Sequence, residues 1–145
     1  HGLSPLSAGE IELGNALEKL AEDTGRIFRR NCTYHGPKTV TLPDRTVALH
    51  LYRIAQEAVG NAVKHGRAED IEIHLTRTRG RVKLLIHDNG CGLPQKSSGT
   101  GFGLRIMSHR AAVIDGTCTA RRREAGGTEV LCTVVLHHLK PQHES

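Results

Sequence analysis

Within "EAVGNAVKHG", residues 57 to 66, four chemically able side chains interrupt an otherwise small and apolar run. Glu57 and Asn61 stand one helical turn apart, with Lys64 and His65 close behind. A carboxylate, an amide, an ammonium and an imidazole together supply acceptors, donors and a group able to take or give a proton near neutral pH. Downstream, "IHDNGCGL" sets Asp88 at the end of an apolar run of Val82, Leu84, Leu85 and Ile86. A carboxylate at the rim of a core is costly to bury unless a donor meets it. Asn89, Gly90 and Gly92 then allow the backbone to turn and to lie close against a flat group. In "GTGFGLRIM", Gly99, Gly101 and Gly103 alternate directly before a helical pattern. Free N–H groups at a helix start, approached closely through glycine, suit a phosphate. Last, "GGT" (Gly126, Gly127, Thr128) precedes the final strand.

Each piece alone is unspecific. A D-N-G can be a turn and a G-x-G-x-G a loop, and neither the Walker A pattern nor the dinucleotide βαβ fingerprint is present. The elements that must carry these residues are legible from periodicity. Leu13, Ala16, Leu17, Leu20 and Ala21 give a helix over residues 10–24, stopped at Gly25. "RIFRRNCTY" reads as a strand ending at the turn "HGPK". Asp44 is a candidate N-cap for a long helix to His65, ended by Gly66. "DIEIHLTRT" and "RVKLLIHD" form a hairpin about Arg79 and Gly80. A helix over residues 104–113 and two strands, "TCTARRRE" and "TEVLCTVVLHH", complete the chain. Paired strands with helices between them predict an α+β fold, a two-layer sandwich with a mostly antiparallel sheet and helices on one face.

Wound at about 100° per residue, the 44–65 helix puts His50, Arg53, Glu57, Asn61, Lys64 and His65 on one stripe. Ala48, Leu51, Tyr52, Ala55, Ala58, Val59, Ala62 and Val63 lie opposite, while Val47 and Ile54 intrude at the stripe's edge. On this helix alone, a solvated face is the simpler reading. The downstream pieces tip the balance toward a site.

Composition closes off other classes. With two Tyr, two Phe and no Trp in 145 residues, base-stacking platforms are missing, so no nucleic-acid partner is expected. No apolar run reaches the ~20 residues of a membrane span, and no secretory signal is visible, which predicts a cytoplasmic domain without direct membrane contact. Cys32, Cys91, Cys118 and Cys132 lack metal-ligand spacing and read as reduced thiols. Most of the ten histidines are scattered singly, and the cluster His137, His138 and His143 reads as a solvated tail. Within a net charge of +5, the run Arg121 to Arg123 reads as an exposed strand end.

In order and spacing, the pieces resemble the ATP-binding domain shared by sensor histidine kinases, the DNA gyrase B subunit, heat-shock chaperone ATPases and mismatch-repair ATPases. "EAVGNAVKHG" resembles the N box, "DNGCGL" the G1 box, "GTGFGL" the G2 box and "GGT" the late threonine motif, over about residues 45 to 136. "HGLSPL", "LEKLAEDTG" and "LYRIAQEAVGNAVKHG", with a short Gly92-to-Gly99 interval, are similar to the nitrate/nitrite-sensor subgroup and its abbreviated ATP lid. The resemblance implies a Bergerat-type sandwich that binds ATP and Mg²⁺.

Carried over residue by residue, it implies that Asn61 holds Mg²⁺, which agrees with the amide carbonyl being a hard oxygen donor. Glu57 matches the carboxylate that orients or deprotonates water in gyrase-like ATPases, and in kinases it would order water around the metal. Lys64 and His65 would meet the phosphates, Asp88 would accept from the adenine amine within Gly90 and Gly92, and Thr128 would support the same end of the base. Gly99, Gly101 and Gly103, with Leu104 following, would form the lid hinge and the helix entry. Two departures, Cys91 inside the G1 box and Asp115 before Gly116, read as neutral.

The subgroup's phosphoacceptor histidine, followed by an acidic residue, has no match here. The expectation is a catalytic fragment of a longer kinase: residues 1–9 a linker remnant, 10–137 the ATP-binding domain, 138–145 a polar tail. Its partners would be its own dimerisation and phosphoacceptor segment, homodimeric in the parent, and a response regulator. The parent could be anchored in the inner membrane, and the fragment alone should autophosphorylate little. A free-standing serine kinase of the anti-sigma-factor type shares the fold, and a non-catalytic module is a third reading. The "GLSPL" and "LYRIAQE" contexts weigh against the former, and intact Asn61, Asp88 and lid glycines against the latter.

Overall fold

The structure, a computed structural model, describes residues 9–92 and 103–136. Gly99, Gly101 and the tail histidines His137, His138 and His143 therefore lie outside the described residues. In chain order the elements are β1 (Glu10–Ile11), α1 (Leu13–Phe28), β2 (Asn31–His35), β3 (Val40–Thr41), α2 (Arg45–Lys64), β4 (Asp70–Thr78), β5 (Arg81–Asp88), α3 (Leu104–Val113), β6 (Gly116–Arg122) and β7 (Thr128–Val135). Five strands form one sheet in the order β2-β4-β5-β7-β6, and β1 pairs β3 separately. Only β2–β4 runs parallel in the larger sheet; its other neighbours are antiparallel.

Strand alternation assigns the faces. Ile71, Ile73 and Leu75 of β4, Val82, Leu84 and Ile86 of β5, and Val130, Cys132 and Val134 of β7 are buried beneath the helices. Their neighbours point the other way, as a period of two requires. Asp44 caps α2 as expected, its Oδ1 accepting from the main-chain N–H groups of Thr46 at 2.9 Å and Val47 at 3.2 Å. The helix lies between α1 and α3 on the sheet. That explains a departure from the simple helical wheel: Val47 and Ile54, placed at the edge of the polar stripe, are 6% and 0% exposed. A helix flanked on both sides needs apolar residues over most of its circumference. Only a narrow polar strip stays wet.

Three other expectations need correction. The first helix does not stop at Gly25 but continues to Phe28, where Arg29 takes a left-handed conformation at φ 57°. A mid-helix glycine costs about 1 kcal/mol relative to alanine, which tertiary packing overrides. "RIF" is thus helical, and the strand is confined to Asn31–His35. Ile27 and Phe28 looked like strand core but are exposed. The short strands β1 and β3 were not foreseen, because two residues each are too few to show a period. Asp115 sits in a left-handed turn at φ 59°, which aspartate tolerates better than most side chains.

Two substitutions test this packing in urea unfolding. Ile54→Ala should cost about 2–5 kcal/mol because all its surroundings are core. Asp44→Ala should cost about 1 kcal/mol through the lost cap. An Ile54→Ala loss below about 0.5 kcal/mol would contradict burial between two helices.

Candidate functional site

A cavity of about 310 Å³ opens between α2, α3 and the inner face of β5, β6 and β7. That volume lies at the lower end of small-molecule sites, roughly 300–1,000 Å³. Among the described residues, α2 contributes Ala58, Asn61 and Ala62 to its wall, with His65 and Gly66 just beyond. Ile86 and Asp88 come from β5, Cys91 and Gly92 from the following turn, and Leu104 and Met107 from α3. Ala120 and Arg122 of β6 and Thr128 and Val130 of β7 close the remaining side. Small and aliphatic walls with polar groups at the edges suit a flat ligand whose rim carries hydrogen-bonding atoms.

Asp88 continues the inward alternation Val82, Leu84, Ile86 and is only 6% exposed. Its Oδ1 accepts from the main-chain N–H of Gly90 at 2.8 Å. The turn behind it is clamped by Asn89, whose Oδ1 accepts from the N–H groups of Glu69 (3.1 Å) and Asp70 (2.9 Å). Asn89 Nδ2 donates to Asp70 Oδ2 at 2.9 Å, and Cys91 N–H to Gly66 O at 2.8 Å. Two glycines make this fit possible. A Cβ on Gly90 would run into the carbonyl of Gly66, and one on Gly127, at φ 93°, into the carbonyl of Asp88. Backbone packs directly on backbone at both sides of the buried carboxylate.

Of the residues singled out by sequence, Asn61, His65, Asp88, Gly92, Leu104 and Thr128 line this one cavity. Gly90 supports Asp88 from behind. Glu57 lies against Gly103, the left-handed residue (φ 77°) that opens α3, so closely that a Cβ there would meet the carboxylate. It flanks the cavity instead of lining it. Lys64 is exposed and outside the lining.

Sequence reasoning missed the arginines. Arg121 pairs with Glu129 on the outer face at 2.9 Å, as an ordinary strand end would. Arg122, however, lines the cavity, and Arg123 Nη1 donates to the main-chain oxygen of Asp88 at 2.7 Å. The exposed-strand-end reading of this run is therefore corrected for two of its three members. Strand alternation from Cys118 and Ala120 carried the signal for Arg122; no local pattern marks Arg123.

Comparison with known proteins agrees with this geometry. A family model described as "Histidine kinase-, DNA gyrase B-, and HSP90-like ATPase" matches residues 46–138. The nitrate/nitrite sensor protein NarX of Escherichia coli K12 is 42% identical over 99 residues, covering 65% of this chain and 17% of the sensor. Nitrate/nitrite sensor protein NarQ of the same organism is 38% identical over 127 residues, covering 86% of this chain and 22% of the sensor. The chain thus spans a small part of these relatives' length. The ATP-binding domain of PrrB from Mycobacterium tuberculosis superposes with a TM-score of 0.72 at 22% identity, covering 88% of this chain and 96% of that domain. That likeness extends the Bergerat-type fold to the described sandwich. With the buried carboxylate, the amide-bearing helix and the glycine-shaped turn all in place, the chain belongs to the family of histidine kinase-, DNA gyrase B- and HSP90-like ATPases.

Proposed function

We propose that the cavity binds ATP with Mg²⁺ and that the chain is the catalytic domain of a sensor histidine kinase. It would transfer the γ-phosphoryl of ATP to a histidine on a dimerisation segment outside this sequence, for relay to an aspartate of a response regulator. The observation that carries this reading is the buried Asp88 carboxylate at one end of an apolar-walled cavity whose other flank presents Asn61 and His65. An exocyclic amine is the donor such a carboxylate lacks, and the aliphatic walls suit the faces of a purine.

The roles follow from position. Asp88 accepts from the adenine amine, and Thr128, across the same end, supports the base through its hydroxyl. Gly90 and Gly92 keep the turn low enough for the base to pass. Asn61 fits a Mg²⁺ ion, because its amide oxygen is a hard donor beside the space that phosphates would fill, and Mg²⁺ commonly takes one or two protein oxygens with phosphates and water. When bound, the ion would offset the phosphates' negative charge. His65 and Lys64 add donors at the mouth, and Leu104 sits at the start of α3, whose first N–H groups lack helical partners and favour an anion. Glu57, one turn before Asn61 and against Gly103, is placed to hold water near the reacting end. Gly99 and Gly101 would complete the lid hinge. Phosphoryl transfer of this type needs mainly positioning and charge stabilisation, which matches a site without a nucleophile. The reading places the domain in the cytoplasm; among the described residues, no helix is long and apolar enough to cross a membrane.

Titration calorimetry with ATP and Mg²⁺ should give 1:1 binding, and Asp88→Asn should weaken it at least tenfold with the thermal melt unchanged. Equal affinity in Asp88→Asn would remove the adenine assignment. Asn61→Ala should bind ATP with Mg²⁺ present no better than wild type does in EDTA. Supplied with a dimerisation segment of a NarX-type kinase, the chain should label its histidine from γ-labelled ATP; the chain alone should label little.

A thiol experiment reports on the same cavity. Cys91 is exposed at the cavity wall, Cys118 and Cys132 are buried, and burial pushes the Cys32 thiol up to about 11. Iodoacetamide at pH 8 should modify Cys91 first, and saturating ATP should slow that modification several-fold. An unchanged rate with ATP bound would place the nucleotide elsewhere.

A further inference from the structure

The face of the sheet turned away from the cavity carries a cluster that nucleotide chemistry does not use. We propose that His35, Glu72 and His74 form a binding site there for a transition-metal dication of the Zn²⁺ type, with His87 in reach as a further ligand. The cluster is assembled by strand register. His35 of β2 lies beside His74 of β4 in the parallel ladder, and Glu72 of β4 lies opposite His87 of β5 in the antiparallel one. These positions alternate with Ile71, Ile73 and Ile86, which are buried on the inner face.

The distances converge on one oxygen. Glu72 Oε1 is 2.8 Å from His74 Nε2, 3.4 Å from His87 Nε2 and 3.9 Å from His35 Nε2. The ligand atoms of His35, Glu72 and His74 all lie within 4.8 Å of one another. Tetrahedral Zn²⁺ with bonds of about 2.0–2.1 Å sets its ligand atoms roughly 3.3–3.4 Å apart. The observed spacings bracket that value, so side-chain rotations of about an ångström close the set.

The rings also stack. His35 and His74 centroids are 4.6 Å apart at 15°, and His74 and His87 centroids 5.3 Å apart at 19°. Stacked imidazoles repel when both are charged, so this arrangement favours neutral rings, the form that ligates metal. His87 accords with this: burial first, then the Arg123 charge, hold it below the usual histidine range. The Glu72 carboxyl is likewise held below its usual range, chiefly by its hydrogen bond with His74, and is ionised at neutral pH. Two or three imidazoles with one carboxylate select Zn²⁺, Co²⁺, Ni²⁺ or Cu²⁺ over Mg²⁺, whose preference is for oxygen. Three adjacent strands hold the donors, a rigid support for a site. The side chains remain 21–51% exposed, so an ion can enter from solvent.

The test uses no nucleotide and stands apart from the ATP reading. The 145-residue chain, with His1, His137, His138 and His143 changed to Gln to silence both ends, is titrated with Zn²⁺ alone against a chromophoric chelator at pH 7.5 in excess Mg²⁺. One equivalent should bind, and His35→Gln, Glu72→Gln or His74→Gln should each weaken binding at least tenfold, with His87→Gln a smaller loss. Undiminished binding in His74→Gln, or no binding once the end histidines are silenced, overturns the proposal. A second measurement needs no ligand variant: on adding Zn²⁺, the imidazole proton resonances of His35 and His74 should shift together at one equivalent. Shifts confined to other histidines would overturn it as well.

Discussion

A carboxylate buried at the inward end of a central strand sets the terms for the whole inner face. Removing an ionised group from water is expensive unless donors replace the water. Here the Gly90 N–H meets Asp88 Oδ1, and Arg123 binds the main-chain oxygen of the same residue. The flanking turn can come this close only because Gly90 and Gly127 carry no Cβ. The cavity edge is therefore a consequence of backbone packing against backbone, and the remaining polar capacity of Asp88 points toward the ligand space.

The opposite wall is constrained by helix packing. Being flanked by α1 and α3 as well as lying on the sheet, α2 buries Val47, Leu51, Ile54, Ala55, Ala58, Val59, Ala62 and Val63. What stays uncovered is the short run from Glu57 to His65, facing the start of α3 and the cavity. The small residues Ala58 and Ala62 matter here, since they leave room between helix and sheet that larger side chains would fill. Gly103 does the same for Glu57, letting α3 begin against the carboxylate. Space and polarity are thus placed by the same few positions.

The sheet separates two chemistries because its side chains alternate. Asp88 faces the cavity while His87, one residue earlier, faces outward toward Glu72 and His74. An event on one face can reach the other only through strand backbone. The two faces also differ in how they were built: the inner one joins segments distant in sequence through loops and glycine turns, the outer one joins neighbouring strands through register.

The sequence by itself determined the elements with strong local periods or caps: α2 from its Asp44 cap, the β4–β5 hairpin, α3, and the two last strands. It also determined the motif residues Asn61, His65, Asp88, Gly92, Leu104 and Thr128, since their types and spacing are chemical facts before folding. Where packing outweighed local preference, it misled: α1 runs through Gly25, and Ile27 and Phe28 are exposed helix instead of buried strand. Only the tertiary structure decided that Arg122 and Arg123 turn toward the site, that Glu57 flanks the cavity while Lys64 stays outside its lining, and that His35 joins Glu72 and His74. Those relations depend on which strands become neighbours and in what register, and a linear pattern carries no information about distance across a sheet.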